Sequence, residues 1–155
     1  MKRRLSLMIA SVFYIGFIPG APGTYASIAA SLAFVSVYFL THRIIPALHL
    51  SSVCLITLVG VLAAAETSRS AGIEDPTFVV IDEVAGQLVT LLFLPINSFN
   101  LILGTLVFRI FDVIKPFYIR RLEPLGKGVG IMADDLLAGV YANLVLQLAN
   151  WLLRR

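Results

Sequence analysis

Residues 108–139 read FRIFDVIKPFYIRRLEPLGKGVGIMADDLLAG, and this stretch gathers the charge of an otherwise oily chain. Arg109, Asp112 and Lys115 follow at three-residue intervals, and Pro116 closes that run. A glycine-spaced turn then leads to the adjacent pair Asp134 and Asp135. Residues three apart on a helix are neighbours, and such a set drifts round the helix by about 60° per step. A second acidic pair, Asp82 and Glu83, stands upstream in FVVIDEVAGQ. The rest of the chain reads as an apolar frame that brings these two segments together.

The frame is a membrane one. The 155 residues form a single domain, 1–155, by size, with 59% hydrophobic and only 14% charged residues. A soluble domain carries about 25% charged residues. Mean hydropathy is +0.93. The net charge of +3 is small, and the basic residues flank apolar segments, as suits anionic lipid headgroups. No basic stretch with interleaved aromatics points to nucleic acid. The single cysteine, Cys54, excludes an intrachain disulfide and a cysteine-based metal site, and reads as a small buried hydrophobe. The basic, then apolar, N-terminus imitates a signal peptide, but PGAPGTYAS and more apolar sequence follow it, so no cleavage is expected.

Between Arg4 and Arg43 there is no charge, and Gly16, Pro19, Gly20, Pro22 and Gly23 break that interval. Residues 5–17 are too few to span about 30 Å of hydrocarbon, which predicts a helix packed against the bundle or near the interface. Residues 26–40 read as a second helix, capped by Thr24 or Ser27. After the polar corner Thr41-His42-Arg43, residues 44–65 are long enough to cross, with Pro46 in the first turn. The polar segment ETSRSAGIEDP reads as a connection, and residues 77–81 as an extended lead-in to a helix, because nothing else offers a strand to pair with. Residues 84–108 are uncharged and interrupted by Pro95, Asn97, Ser98 and Asn100. They predict a helical hairpin with arms of about a dozen residues, each roughly 18 Å long. Equal arms bring Asp82 and Glu83 level with Arg109 and Asp112. Residues 136–153 complete the set, ending at Trp151, Arg154 and Arg155, an aromatic and basic anchor. The expected fold is all-α, a multi-helical membrane-embedded bundle with a short helical hairpin.

Following the turns puts the glycine-proline loop, the Glu66 region, both acidic pairs and residues 109–115 on one membrane face. His42-Arg43, residues 97–100 and Arg154-Arg155 fall on the other. The first face holds Arg69, Arg109, Lys115, Arg120, Arg121 and Lys127, so the positive-inside bias turns it to the cytoplasm.

Arg109, Asp112 and Lys115 have the spacing of a plain salt-bridge ladder. Their neighbours Phe108, Ile110, Phe111, Val113 and Ile114 argue against free solvation, and ionisable residues held in oil at a membrane face suggest function. One aspartate of the pair 134–135 serves as a helix cap with favourable dipole charge. The second needs another reason, and Asp82-Glu83 poses the same problem. With Asp112 these make five carboxylates at one level, which repel strongly unless a cation neutralises them. Oxygen ligands without His or Cys suit Mg²⁺. Arg109 and Lys115 add positive charge for an anion such as phosphate. Carboxylate-held Mg²⁺ beside Arg and Lys is the equipment of phosphoryl transfer or phosphate-ester hydrolysis. In the loop 19–24, Gly23 and Thr24 offer backbone N–H groups to the same anion, although an ordinary interhelical loop would look alike. Gly126, Gly128 and Gly130 allow a tight approach or mere flexibility. His42 and His49 sit away from the charge and read as structural or solvated.

PGAPGTYAS, VVIDEVAGQ, FRIFDVIKP and GVGIMADDLLAG, in this order, resemble the phosphatidylglycerophosphatase A family over nearly the whole chain. The resemblance implies an all-helical, Mg²⁺-dependent lipid phosphatase that converts phosphatidylglycerophosphate to phosphatidylglycerol and phosphate. It implies a multi-pass protein of the bacterial cytoplasmic (inner) membrane. Carried over, Asp82, Glu83, Asp112, Asp134 and Asp135 fall on the acidic, catalytic and metal-holding positions, and Arg109 and Lys115 on the basic ones. Tyr118 and Ala26 depart from the family pattern at uncharged positions. Two other classes compete. A phosphotransferase would need a longer aspartate array on one helix, which this chain lacks. A small membrane cation-binding or transport protein could use the same carboxylates, but would place its charges near mid-helix.

Overall fold

The computed structural model describes residues 3–43, 45–116, 118–119, 122, 125–126 and 128–154. Among these there are six α-helices and no strand: α1 (Arg3–Ala10), α2 (Pro22–Thr41), α3 (Pro46–Ala71), α4 (Ile81–Thr90), α5 (Ser98–Ile114) and α6 (Val129–Leu153). By length and apolar composition, α2, α3 and α6 can each cross a membrane. Their packing supports that. On α3 the large side chains point outward, with Leu55, Leu58 and Leu62 62%, 64% and 59% exposed, while Ala63 and Ala64 are fully buried. On α6, Leu144, Leu148 and Leu152 face out and Ala138, Ala142 and Gly139 face in. Large residues outside and small ones inside reverse the soluble pattern. They suit helices whose outer solvent is lipid and whose backbones must approach closely.

Helices α4 and α6 approach backbone to backbone. A β-carbon at Gly86 would stand 2.6 Å from the Asp135 carbonyl oxygen, and one at Gly139 would stand 2.4 Å from the Gly86 carbonyl oxygen. Only glycine lets these backbones touch. Asp82 lies four residues before Gly86 and Asp135 four before Gly139, so each aspartate sits one turn above the contact. The glycine pair thus sets the distance between the two acidic motifs.

Several expected boundaries move. The first helix stops at Ala10 rather than 17, because Val12, Phe13 and Tyr14 adopt left-handed backbone conformations (φ 48°, 53° and 71°). The Ser11 hydroxyl donates to the Leu7 carbonyl and accepts from the Tyr14 N–H, holding that bend. Helix α2 begins at Pro22, a residue suited to the first turn, with no side-chain cap; Ser27 instead donates to the Gly23 carbonyl. Helix α3 continues six residues past 65, through the polar segment, to a left-handed Gly72. There Glu66 pairs with Arg69, and the Ser68 hydroxyl donates to the carbonyls of Ile73 and Glu74. The lead-in to α4 is free of strand but not extended as expected: Pro76–Val79 form a turn, Val80 donates its N–H to the Ala10 carbonyl, and Ile81 already belongs to α4. The hairpin exists with unequal arms of 10 and 17 residues, and residues 91–97 make up the difference. Helix α6 starts seven residues earlier than expected, at Val129. Cys54 is exposed on the outer side of α3, where an apolar thiol faces lipid as readily as core. Lys2, Ile44, Arg120, Arg121, Lys127 and Arg155, on which parts of the orientation, helix-start and anchor readings rest, lie outside the described residues.

Candidate active site

A cleft of about 750 Å³ opens at one end of the bundle, lined by Asp75, Asp82, Glu83, Arg109, Asp112, Lys115, Asp134 and Asp135 together with the loop from Pro19 to Gly23. Four segments far apart in sequence meet here.

Asp82 and Glu83 occupy the first turn of α4, where negative charge favours the helix dipole. Asp134 and Asp135 stand elsewhere than expected. They lie inside the second turn of α6, behind the cap position Gly128, so capping explains neither. Both are nearly fully buried, as is Asp82. Carboxylate oxygens of Asp82, Glu83 and Asp135 lie within 4.8 Å of one another. The buried Asp82 Oδ1, Glu83 Oε2 and Asp135 Oδ2 have no hydrogen-bond partner. A buried polar atom left unpartnered costs roughly 1–3 kcal/mol, and more if charged. Three carboxylates clustered this closely, each with a buried unpartnered oxygen, fit a hard divalent cation bound through oxygen. Burial pushes the Asp82 carboxyl well above its usual range, and the nearby Glu83 and Asp135 charges push the same way. Burial also raises Glu83, opposed by a hydrogen bond with Asp82 and by the Arg109 charge. One guanidinium, 3.5 Å from Glu83, faces three carboxylates, so the trio is under-neutralised.

The other two acids are paired. Asp112 Oδ2 lies 2.5 Å from Arg109 Nη1, which also approaches Glu83 Oε1 at 3.5 Å. Asp134 Oδ2 accepts from Lys115 Nζ at 2.6 Å, and Asp134 Oδ1 accepts from the Asp135 N–H. Lys115 follows the last turn of α5 in a left-handed conformation (φ 47°), which carries its side chain across to α6. The five expected carboxylates therefore share one cleft: Asp82, Glu83 and Asp135 cluster, with Glu83 also 3.5 Å from Arg109, while Asp112 and Asp134 each make a closer ion pair. Arg109 keeps its buried Nε without a partner.

Gly23 is in the site: a β-carbon there would stand 1.9 Å from Glu83 Oε1 and 2.8 Å from Arg109 Nη1. Thr24 is not. It lines a separate apolar groove between α2 and α5. Asp75, read from sequence as part of a solvated connection, lines the cleft. Its one signal was its position directly before Pro76, which anchors the turn into α4. His49 is buried at the opposite end of α4, its Nε2 2.9 Å from the Leu88 carbonyl, and His42 is exposed at the end of α2, so both are apart from the cleft.

The profile of the family Phosphatidylglycerophosphatase A matches residues 8–150. A Bacteroides thetaiotaomicron protein, provisionally named a phosphatidylinositol-3-phosphatase, is 38% identical over 163 residues, spanning 99% of both chains. Phosphatidylglycerophosphatase A of Haemophilus influenzae is 35% identical, covering 94% of this chain and 90% of its own. That of Escherichia coli is 33% identical, covering 90% and 80%. No solved structure matches. With its motifs converging on one acidic cleft and its sequence matched almost from end to end, the chain belongs to the phosphatidylglycerophosphatase A family of membrane phosphatases.

Proposed function

We propose that the protein hydrolyses the terminal phosphate monoester of phosphatidylglycerophosphate, giving phosphatidylglycerol and inorganic phosphate. The reading places Mg²⁺ on Asp82, Glu83 and Asp135, and the cleft at the cytoplasmic face of the bacterial inner membrane. The observation that carries it is the trio of buried carboxylates with unpartnered oxygens, set beside Arg109 and Lys115 in an open cleft. Bound there, Mg²⁺ supplies positive charge to the phosphate oxygens and acidifies a water.

The chain's own residues do the rest. Asp112 and Glu83 both approach Arg109 Nη1 and hold the guanidinium at the cleft, where it can donate to a phosphate oxygen. Asp134 holds the Lys115 ammonium at the cleft as a second positive charge. Fixed cations at a phosphoryl group stabilise the charge that develops as the phosphorus–oxygen bond breaks. Water attacks phosphorus, the bond to the glycerol oxygen breaks, and a cleft carboxylate carries the water's proton to the departing alkoxide. Gly23 contributes closeness: its missing side chain leaves room for Glu83 and Arg109 to meet.

The Bacteroides relative favours a second substrate, phosphatidylinositol 3-phosphate, which presents the same monoester on a different polyol. Phosphate release by purified protein, measured on both lipids with and without Mg²⁺, separates the readings. Mg²⁺-dependent release from phosphatidylglycerophosphate in preference to the inositol lipid is expected. Full release in excess chelator would remove the metal, and no release from either lipid would leave the cluster to cation binding or transport.

A further inference from the structure

The groove between α2 and α5 adjoins the cleft through both helices. Gly23 lines the cleft and Thr24 the groove; Arg109 lines the cleft, and Thr105, one turn earlier on α5, the groove. Its volume is about 380 Å³, and its rim is made of outward-facing Ile28, Leu32, Ile102 and Leu106. Its wall is not wholly apolar. The fully buried Gln87, one turn below Glu83 on α4, donates from Nε2 to Ser31 Oγ at 3.0 Å and to Thr105 Oγ1 at 3.1 Å. Thr105 spends its own proton on the Leu101 carbonyl. With that proton committed, the contact between Ser31 Oγ and Thr105 Oγ1 runs from Ser31, and at 3.5 Å it is a long bond. The Ser31 hydroxyl, accepting from Gln87 and holding Thr105 only by this long bond, can turn its proton to a better acceptor in the groove. It lies eight residues beyond Gly23, roughly 12 Å down α2 at 1.5 Å per residue.

Resting on the phosphatase reading of the cleft, we propose that this groove holds the diacylglycerol part of the substrate lipid, with Ser31 donating to an acyl-ester carbonyl. Three observations choose that occupant. The groove adjoins the cleft; its rim is made of outward-facing apolar side chains; and of its hydroxyls Ser31 lies about two helical turns further down α2 from the cleft than Thr24. A lipid phosphomonoester has that order: phosphate outermost, ester carbonyls below, hydrocarbon beyond. Gln87 acts as a positioning residue, since both hydroxyls take their orientation from its amide.

The test uses full-length protein in phosphatidylcholine nanodiscs with a phosphatidylglycerophosphate analogue carrying a diazirine in one acyl chain. Photolysis should label Leu32 and Ile102, and unlabelled phosphatidylglycerophosphate should displace that label while leaving label at Leu55 on α3 unchanged. Equal, undisplaced labelling at all three would overturn the groove. Kinetics give a second readout: the ratio of kcat/KM for the diacyl lipid to that for glycerol 3-phosphate. Filling the groove with Leu32→Trp should lower this ratio roughly tenfold. Ser31→Ala should lower it roughly fivefold, mainly through KM. Leu55→Trp is the control and should leave it unchanged. An unchanged ratio in both groove variants of an active protein sinks the groove alone. A wild-type protein releasing no phosphate from any lipid sinks the phosphatase reading beneath it.

Discussion

The two ends of the bundle treat polar groups in opposite ways. At the end away from the cleft they are matched. Asn97 caps α5 by accepting from the Asn100 N–H, and Asn100 donates to the Pro95 carbonyl. Asn150 donates to Asn100 Oδ1 at 2.7 Å, and Asn143 donates to the carbonyls of Thr90 and Leu92. At the cleft, buried atoms of Asp82, Glu83, Arg109 and Asp135 are left without hydrogen-bond partners. Polar groups that close on one another hold helices together in oil, where an unmet backbone carbonyl is costly. Polar groups left open are kept for something that arrives. The contrast separates structure from function without reference to conservation.

The largest effect should come from the open end. Asp82→Asn or Asp135→Asn keeps the shape but removes a charge from the trio, and turnover should fall at least roughly 10²-fold. The same change removes repulsion among buried like charges, so thermal melting in detergent should stay level or rise. Near-normal turnover in either variant would break the shared-cation site. Asp112→Asn should cost less, about tenfold, because Asp112 acts through Arg109 rather than within the trio.

Gly23→Ala sharpens the comparison. Its β-carbon would meet first the ends of two flexible side chains, Glu83 and Arg109. The fold can yield cheaply, but the cleft geometry cannot. Turnover should fall roughly 10- to 100-fold at nearly constant melting temperature, since small misplacements of reacting groups are expensive. A parallel loss of melting temperature would make Gly23 a packing residue only.

At the closed end the pattern should invert. Asn100→Ala strands Asn150 and the Pro95 carbonyl, costing about 2 kcal/mol. The variant should melt earlier while its activity per folded molecule stays near that of the parent protein. Lost specific activity at full folding would erase the distinction between the two ends.

Much of this was legible in the chain. The break at Pro95 and Asn97 gave the hairpin, and opposing its arms predicted the meeting of Glu83 with Arg109. What escaped was set by tertiary contact. Residues 126–130 read as a glycine turn because glycine disfavours helix, yet α6 runs through Val129 and Gly130. Packing decides there: Gly128 lies so close to the Val61 carbonyl on α3 that no side chain fits. The polar residues 66–71 read as a loop, but their side chains close on one another and on the following carbonyls, so the helix persists. The division of the acids into a trio and two ion pairs depends on which turn of α6 faces α4, which the Gly86–Gly139 contact fixes and no spacing within one segment reveals.

The smallest effect tests where the cleft ends. Glu74 and Asp75 are adjacent, both exposed and identical in charge, yet only Asp75 lines the cleft. Its charge is among those that raise the Asp82 carboxyl, so it is close enough to be felt by the trio. Being exposed, it acts through water and is weakened by salt within about 10 Å. Asp75→Asn should therefore leave kcat unchanged and raise the Mg²⁺ concentration for half-maximal activity roughly two- to threefold at low salt. Glu74→Gln should do neither. Raising the salt should shrink the Asp75 effect, whereas the loss in Asp135→Asn should persist because that carboxylate is buried. Titrating Mg²⁺ against phosphate release at two ionic strengths measures all three. Equal shifts in the two neighbours would mean that the cleft attracts cations through general surface charge, and that its edge does not run between Glu74 and Asp75.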